Sequence, residues 1–236
     1  MCRLLNTLKE NIEIVKAKID KACEKAGRKS DEIKLIAVSK TVPSEDINQA
    51  VEFGILDFGE NKVQEFMNKF EHVNSAARFH MIGHLQTNKV KYIFDKVSSI
   101  QSIDSIKLAN EVNKRAAAKS MKINGLIQIH TAKEETKFGL DESEFEIFMN
   151  SISDFKNIYF NGLMTIGTFT EDEKEIRRCF TMLRNLKEKY SSFKTDNCEL
   201  KELSMGMTSD YEIAIEEGST ILRIGTAIFG TRGIEN

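Results

Sequence analysis

The chain opens with Leu4, Leu5, Leu8, Ile12, Val15, Ile19 and Ala22 at three- and four-residue steps, with lysines and glutamates between them. That spacing predicts an amphipathic helix over residues 3–26, its apolar stripe docked on another element, with Gly27 and Arg28 as its stop. Beyond it one unit recurs: a short apolar, β-branched run, a polar or glycine-bearing turn, then a longer helical pattern. Strands are predicted at Leu35–Ser39, Leu56–Gly59, Arg78–Ile82, Val97–Ile103, Ile123–His130, Tyr159–Thr165, Leu200–Met205 and Ile221–Ile224. Capping signals stand before the helices at Ser44-Glu45-Asp46, Ser105, Asp141-Glu142-Ser143 and Ser209-Asp210.

Strict strand–helix alternation implies parallel strands joined by right-handed crossovers. Such units in 236 residues fit the lower end of the size range of a closed (β/α)8 TIM barrel, an α/β fold. An open doubly wound sheet competes, but no Gly-x-Gly-x-x-Gly follows an early strand. With one proline and no Pro- or Gly-rich linker, residues 1–236 read as a single domain. The sequence stops soon after Gly230, so the helix within residues 1–28 is expected to pack where a last barrel helix would lie.

Composition narrows the functional classes. The 34 Lys and Arg against 36 Asp and Glu leave a net charge of −2, with no basic excess to hold a nucleic-acid backbone. No apolar run approaches the roughly 20 residues that span a bilayer, and the N-terminus has no continuous apolar h-region, so a cytoplasmic protein without membrane or nucleic-acid partners is expected. Cys2, Cys23, Cys179 and Cys198 form no Cys-x-x-Cys pair and His72, His80, His84 and His130 lack zinc-ligand spacing; free thiols and no metal are the expectation.

In an eight-fold barrel the site forms at the C-terminal strand ends, and phosphate is commonly held after strands seven and eight. Alternation along Leu35–Ser39 places Ile36, Val38 and Lys40 on one face; if that face is interior, partial desolvation at the mouth would favour a neutral Lys40 amine able to condense with an aldehyde. Ser204 to Asp210 runs from a strand into a helix with small hydroxyl residues and Gly206, a composition suited to an anion. In Leu222 to Ala227, Arg223 and Gly225 share the face opposite Leu222 and Ile224, and Thr226 offers a hydroxyl and an N–H. An aldehyde-reactive amine and a phosphate cup in one barrel mouth point to a ligand carrying both groups, pyridoxal 5'-phosphate.

These residues belong to longer segments: Ala37 to Pro43, Phe58 to Asn61 with Gln64-Glu65, Ile82 to Gln86 with Asn88-Lys89, Gly162 to Ile166, Leu203 to Thr208 and Arg223 to Gly230. Together they resemble the pyridoxal phosphate homeostasis proteins, single-domain relatives of the alanine racemase barrel, over essentially the whole chain. The resemblance implies pyridoxal 5'-phosphate held covalently by Lys40, with Ser204, Thr208, Gly225 and Thr226 forming the phosphate cup. It further implies Arg223 at the pyridine nitrogen, and Asn61, His84, Met164 and Met205 lining the cofactor. Val42, where lysine is common in that family, and Thr208, where serine is common, depart from the pattern.

An arginine at the pyridine nitrogen leaves it unprotonated, a weak electron sink. The function expected is therefore a barely catalytic or non-catalytic monomeric carrier that influences supply of the aldehyde to pyridoxal-phosphate-dependent apo-enzymes. A racemase of the related barrel also uses a tyrosine from a further domain, and Tyr92, Tyr159, Tyr190 and Tyr211 fall away from the predicted mouth in a chain ending at Asn236. The alternatives are an amino-acid racemase or related enzyme with His84 as proton donor, and an interaction protein whose barrel has lost the cofactor.

Overall fold

The computed structural model describes residues 2–133 and 138–230, with side chains from residue 7 onward. The Leu4, Leu5 and Cys2 side chains therefore lie outside the described residues, as does the tail after Gly230. Strands β1 (Lys34–Val38), β2 (Asp57–Glu60), β3 (Arg78–Met81), β4 (Ser99–Ile103), β5 (Ile123–Gln128) and β6 (Ile158–Met164) pair in parallel, each with the next. The short β7 (Lys194–Thr195) precedes β8 (Cys198–Ser204) and β9 (Ile221–Ile224). β9 pairs with β1, β8 with β9, and β6 with β8, all parallel, which closes an eight-stranded ring without edges. β7 sits outside that ring as an antiparallel hairpin partner of β8, an element the sequence pattern does not predict.

Helices α1 (Cys2–Lys25), α2 (Ser44–Glu52), α3 (Val63–Phe70), α4 (Val90–Ile93), α5 (Ile106–Ala118), α6 (Glu142–Asn150), α7 (Glu173–Lys189), α8 (Tyr211–Glu216) and α9 (Thr226–Phe229) are interleaved with the strands. Side chains alternate as the sequence predicts. Ile36, Leu126, Met164 and Ile221 form a small cluster inside the barrel, whereas Ala37, Leu222 and Ile224 join the larger core between strands and helices. Two capping expectations hold: Ser105 Oγ accepts from the Leu108 N–H, and Asp141 and Glu144 form a reciprocal box at the start of α6. Two do not: Ser44 is already helical behind Pro43, and Asp210 makes no side-chain cap to α8 but accepts from the Met207 N–H of the preceding loop at 2.5 Å.

α1 packs against α8 and α9, covering the barrel after its last strand. Leu8, Ile12, Val15, Ile19 and Ala22 are buried, each large aliphatic side chain contributing about 1.5–3 kcal/mol relative to exposure. Polar contacts set the register. Asn11 Nδ2 donates to the Ile228 carbonyl at 3.0 Å, and Arg28 donates to the carbonyls of Ile215 and Ser219 at 3.0 and 2.7 Å. Cys23, Cys179 and Cys198 are buried free thiols, and among the described residues no helix is long and apolar enough to cross a membrane.

Candidate functional site

At the C-terminal ends of β1, β8 and β9 lies a cavity of about 340 Å³, lined by Val38, Lys40, Phe169, Met207, Thr208, Ser209, Arg223, Gly225 and Thr226. The pairing of Ile36 with Arg223 puts the first and last barrel strands side by side, so whatever follows each of them shares the mouth. Gly225 fits there because it is small: a Cβ would stand 3.3 Å from the Val38 Cβ. Thr226 Oγ1 donates to Thr208 Oγ1 at 3.2 Å, joining the two loops through a hydroxyl pair. Lys40 is exposed, on the turn beyond β1, so the desolvation expected from its strand position is not supplied by the barrel walls.

Arg223 is only 3% exposed. Its Nη1 donates to Ser204 Oγ at 2.7 Å, its Nη2 to the Thr165 carbonyl at 2.7 Å, and Ser204 Oγ in turn donates to Gln101 Oε1 at 2.7 Å. Burial pushes the guanidinium down to about 10, partly offset by the charge of Asp210, so at neutral pH it remains a cation. Gly206 makes the β8–α8 loop possible. It has φ of 96°, accepts from the Arg223 N–H at 3.0 Å, and a Cβ there would meet Ala214 Cβ at 2.6 Å.

The structure thus brings Lys40, Thr208, Arg223, Gly225 and Thr226 to one cavity. Ser204 lies beneath it, fully buried, orienting Arg223 rather than lining the walls. Met164 is in the barrel interior, and Met205 belongs to the outer core. Asn61, half-buried after β2, carries a buried Oδ1 without a partner. His84 is exposed, its Nδ1 2.9 Å from Asp104 Oδ2 and its ring stacked on Phe138 at 3.7 Å. Val42 is buried in the core, so position 42 packs rather than carries charge. Sequence reasoning missed Gln101, which looks like one polar residue inside a strand, and Phe169, which is 88% exposed among polar loop residues.

Residues 5–233 match the alanine racemase N-terminal domain family. A pyridoxal phosphate homeostasis protein of Aquifex aeolicus (strain VF5) is 42% identical over 224 residues, covering 94% of this chain and 97% of the relative. The chain belongs to the pyridoxal phosphate homeostasis protein family. Its barrel is that of the family: an unknown protein from Bifidobacterium adolescentis, 35% identical, superposes with a TM-score of 0.90 over 96% of both chains. The PipY protein of Synechococcus elongatus PCC7942, solved with pyridoxal phosphate bound, is 28% identical with a TM-score of 0.83, covering 94% of this chain and all of that one. The resemblance drawn from the sequence motifs and the expected racemase-type barrel are both borne out.

Proposed function

We propose that this chain binds pyridoxal 5'-phosphate as cargo, joined covalently to Lys40, and supplies it as a cytoplasmic monomer to pyridoxal-phosphate-dependent apo-enzymes rather than using it in catalysis. The observation that carries this reading is the sharing of one cavity by a lysine amine and a hydroxyl-lined loop pair. Its size, about 340 Å³, falls within the span of about 300–1,000 Å³ typical of small-ligand pockets. The family name and the ligand in PipY support the choice of molecule.

The chemistry suits storage. Lys40 would supply its amine to the aldehyde, forming a carbon–nitrogen double bond with loss of one water, a step that water can reverse. Because Lys40 is exposed, water reaches that bond and the link stays reversible. The paired Thr208 and Thr226 hydroxyls and the backbone N–H groups around Gly225 would hold the phosphate. Arg223, a cation held by Ser204 and Thr165, would donate to the ring nitrogen and disfavour its protonation, weakening the electron sink that racemisation needs.

Titration of the purified protein with pyridoxal 5'-phosphate tests this. A visible band should grow to one equivalent, disappear on borohydride reduction and be absent in Lys40→Ala. L-Alanine incubated with the loaded protein should keep its chirality, with turnover far below the roughly 1–10³ per second of ordinary enzymes. A protein that stays colourless, or racemises at such rates, overturns the proposal.

A further inference from the structure

The Ser39–Val42 turn carrying Lys40 is gripped by a buried charge cluster outside the cavity. Lys69, near the end of α3, donates from Nζ to the carbonyls of Ser39 at 2.8 Å and Val42 at 3.3 Å. The same ammonium is 2.9 Å from Glu60 Oε1 and 3.1 Å from Glu65 Oε1. Each carboxylate then returns to the turn. Glu60 accepts from Ser39 Oγ at 2.5 Å, and Glu65 accepts from the Thr41 N–H. Polar groups on both sides of Lys40 are thus tied to β2 and α3, while the Lys40 side chain itself is exposed.

Two features argue that this grip has a task beyond packing. Thr41 holds φ of 59°, a left-handed conformation unfavourable for a β-branched residue that persists only where its surroundings impose it. Glu60 is fully buried, and its Oε2 has no partner. A buried ion cluster is poor value for stability, since apolar residues of similar shape commonly serve as well. Turn strain and a buried carboxylate are accepted together at the one turn that presents the reactive amine.

We infer that Lys69, through Glu60 and Glu65, is a positioning residue that holds the Ser39–Val42 turn so that Lys40 faces the cavity shared with Thr208, Gly225 and Thr226. This rests on the proposed covalent binding at Lys40. Lys69 touches no cargo; it acts through the turn's backbone. The bond to the aldehyde depends on that geometry, whereas the phosphate grip on the opposite loops does not.

The test compares pyridoxal 5'-phosphate with pyridoxine 5'-phosphate, which has an alcohol in place of the aldehyde and so reads the cup alone. Proteins are wild type, Lys69→Met with Glu60→Gln, which removes both charges together, and Glu65→Leu, which frees the Thr41 N–H and one contact of the Lys69 ammonium but keeps the Lys69–Glu60 pair should the double variant fail to fold. Expected in each variant is a loss of about tenfold or more in affinity for the aldehyde, with a change under about twofold for the alcohol. Equal changes for both ligands, or none, overturn the inference and leave the functional reading standing. Reduced wild-type complex labelled at a lysine other than Lys40 overturns that reading, and this inference with it.

Discussion

Ser204→Ala isolates the polar link between the barrel interior and the cavity. The Ser204 hydroxyl accepts from the buried Arg223 guanidinium and donates to Gln101, both at 2.7 Å. Losing a hydrogen bond to a charged group removes about 1.5–3 kcal/mol, and leaving Gln101 Oε1 unpartnered adds about 1–3 kcal/mol. Partial relaxation brings the expected loss to about 3 kcal/mol. For a chain of this size that lowers Tm by about 6–12 °C, at about 2–4 °C per kcal/mol. Urea unfolding followed by circular dichroism measures it. Repeating Ser204→Ala in an Arg223→Met background should expose coupling of about 1.5–3 kcal/mol, because the charged donor is already gone. A loss below about 1 kcal/mol, or effects that add within about 0.5 kcal/mol, would refute the reasoning.

Asp57 is buried against His80 at 2.8 Å and Arg78 at 2.6 Å; these bonds outweigh the desolvation that opposes them and hold its carboxyl well below the usual 3.8. A carboxyl depressed in the folded state contributes stability that is present above its ordinary value and lost as pH falls below it, so wild-type stability should drop between about pH 5 and 2 more steeply than that of Asp57→Asn. Parallel slopes in acid titrations of Tm would contradict this. Gly206→Ala meets both a left-handed φ and Ala214 at 2.6 Å, so it should cost more than the roughly 1 kcal/mol of strain alone and weaken cargo retention by disturbing the loop that carries Thr208; unchanged Tm and retention would count against that loop's role. Ile12→Ala, at a site 2% exposed between α1 and the barrel, should cost about 2–5 kcal/mol in urea unfolding, and a loss under about 1 kcal/mol would place α1 outside the cooperative unit.

Much of this architecture was legible because period-2 alternation is a local property. It put Ile36 and Ile221 inside and Ala37, Leu222 and Ile224 outside, and from there Arg223 and Gly225 toward the mouth. What escaped depends on distant partners. Gln101 reaches Ser204 across 103 positions, and no spacing rule announces that pair. Lys69 reads as a solvent-facing helix charge until α3 is docked and its ammonium meets the Ser39 carbonyl. The Lys40 environment was misjudged for a related reason: strand alternation sets a direction, whereas desolvation depends on how far the turn carries the residue beyond the walls. The β7 hairpin is too short for any periodicity to register.

The most direct test is an experimental electron-density map of the protein crystallised with pyridoxal 5'-phosphate. Continuous density from Lys40 Nζ to the ring, with the phosphate between Thr208, Gly225 and Thr226 and the ring nitrogen toward Arg223, is the predicted result. A ligand attached elsewhere, or lying in that cavity unbonded to Lys40, would contradict it.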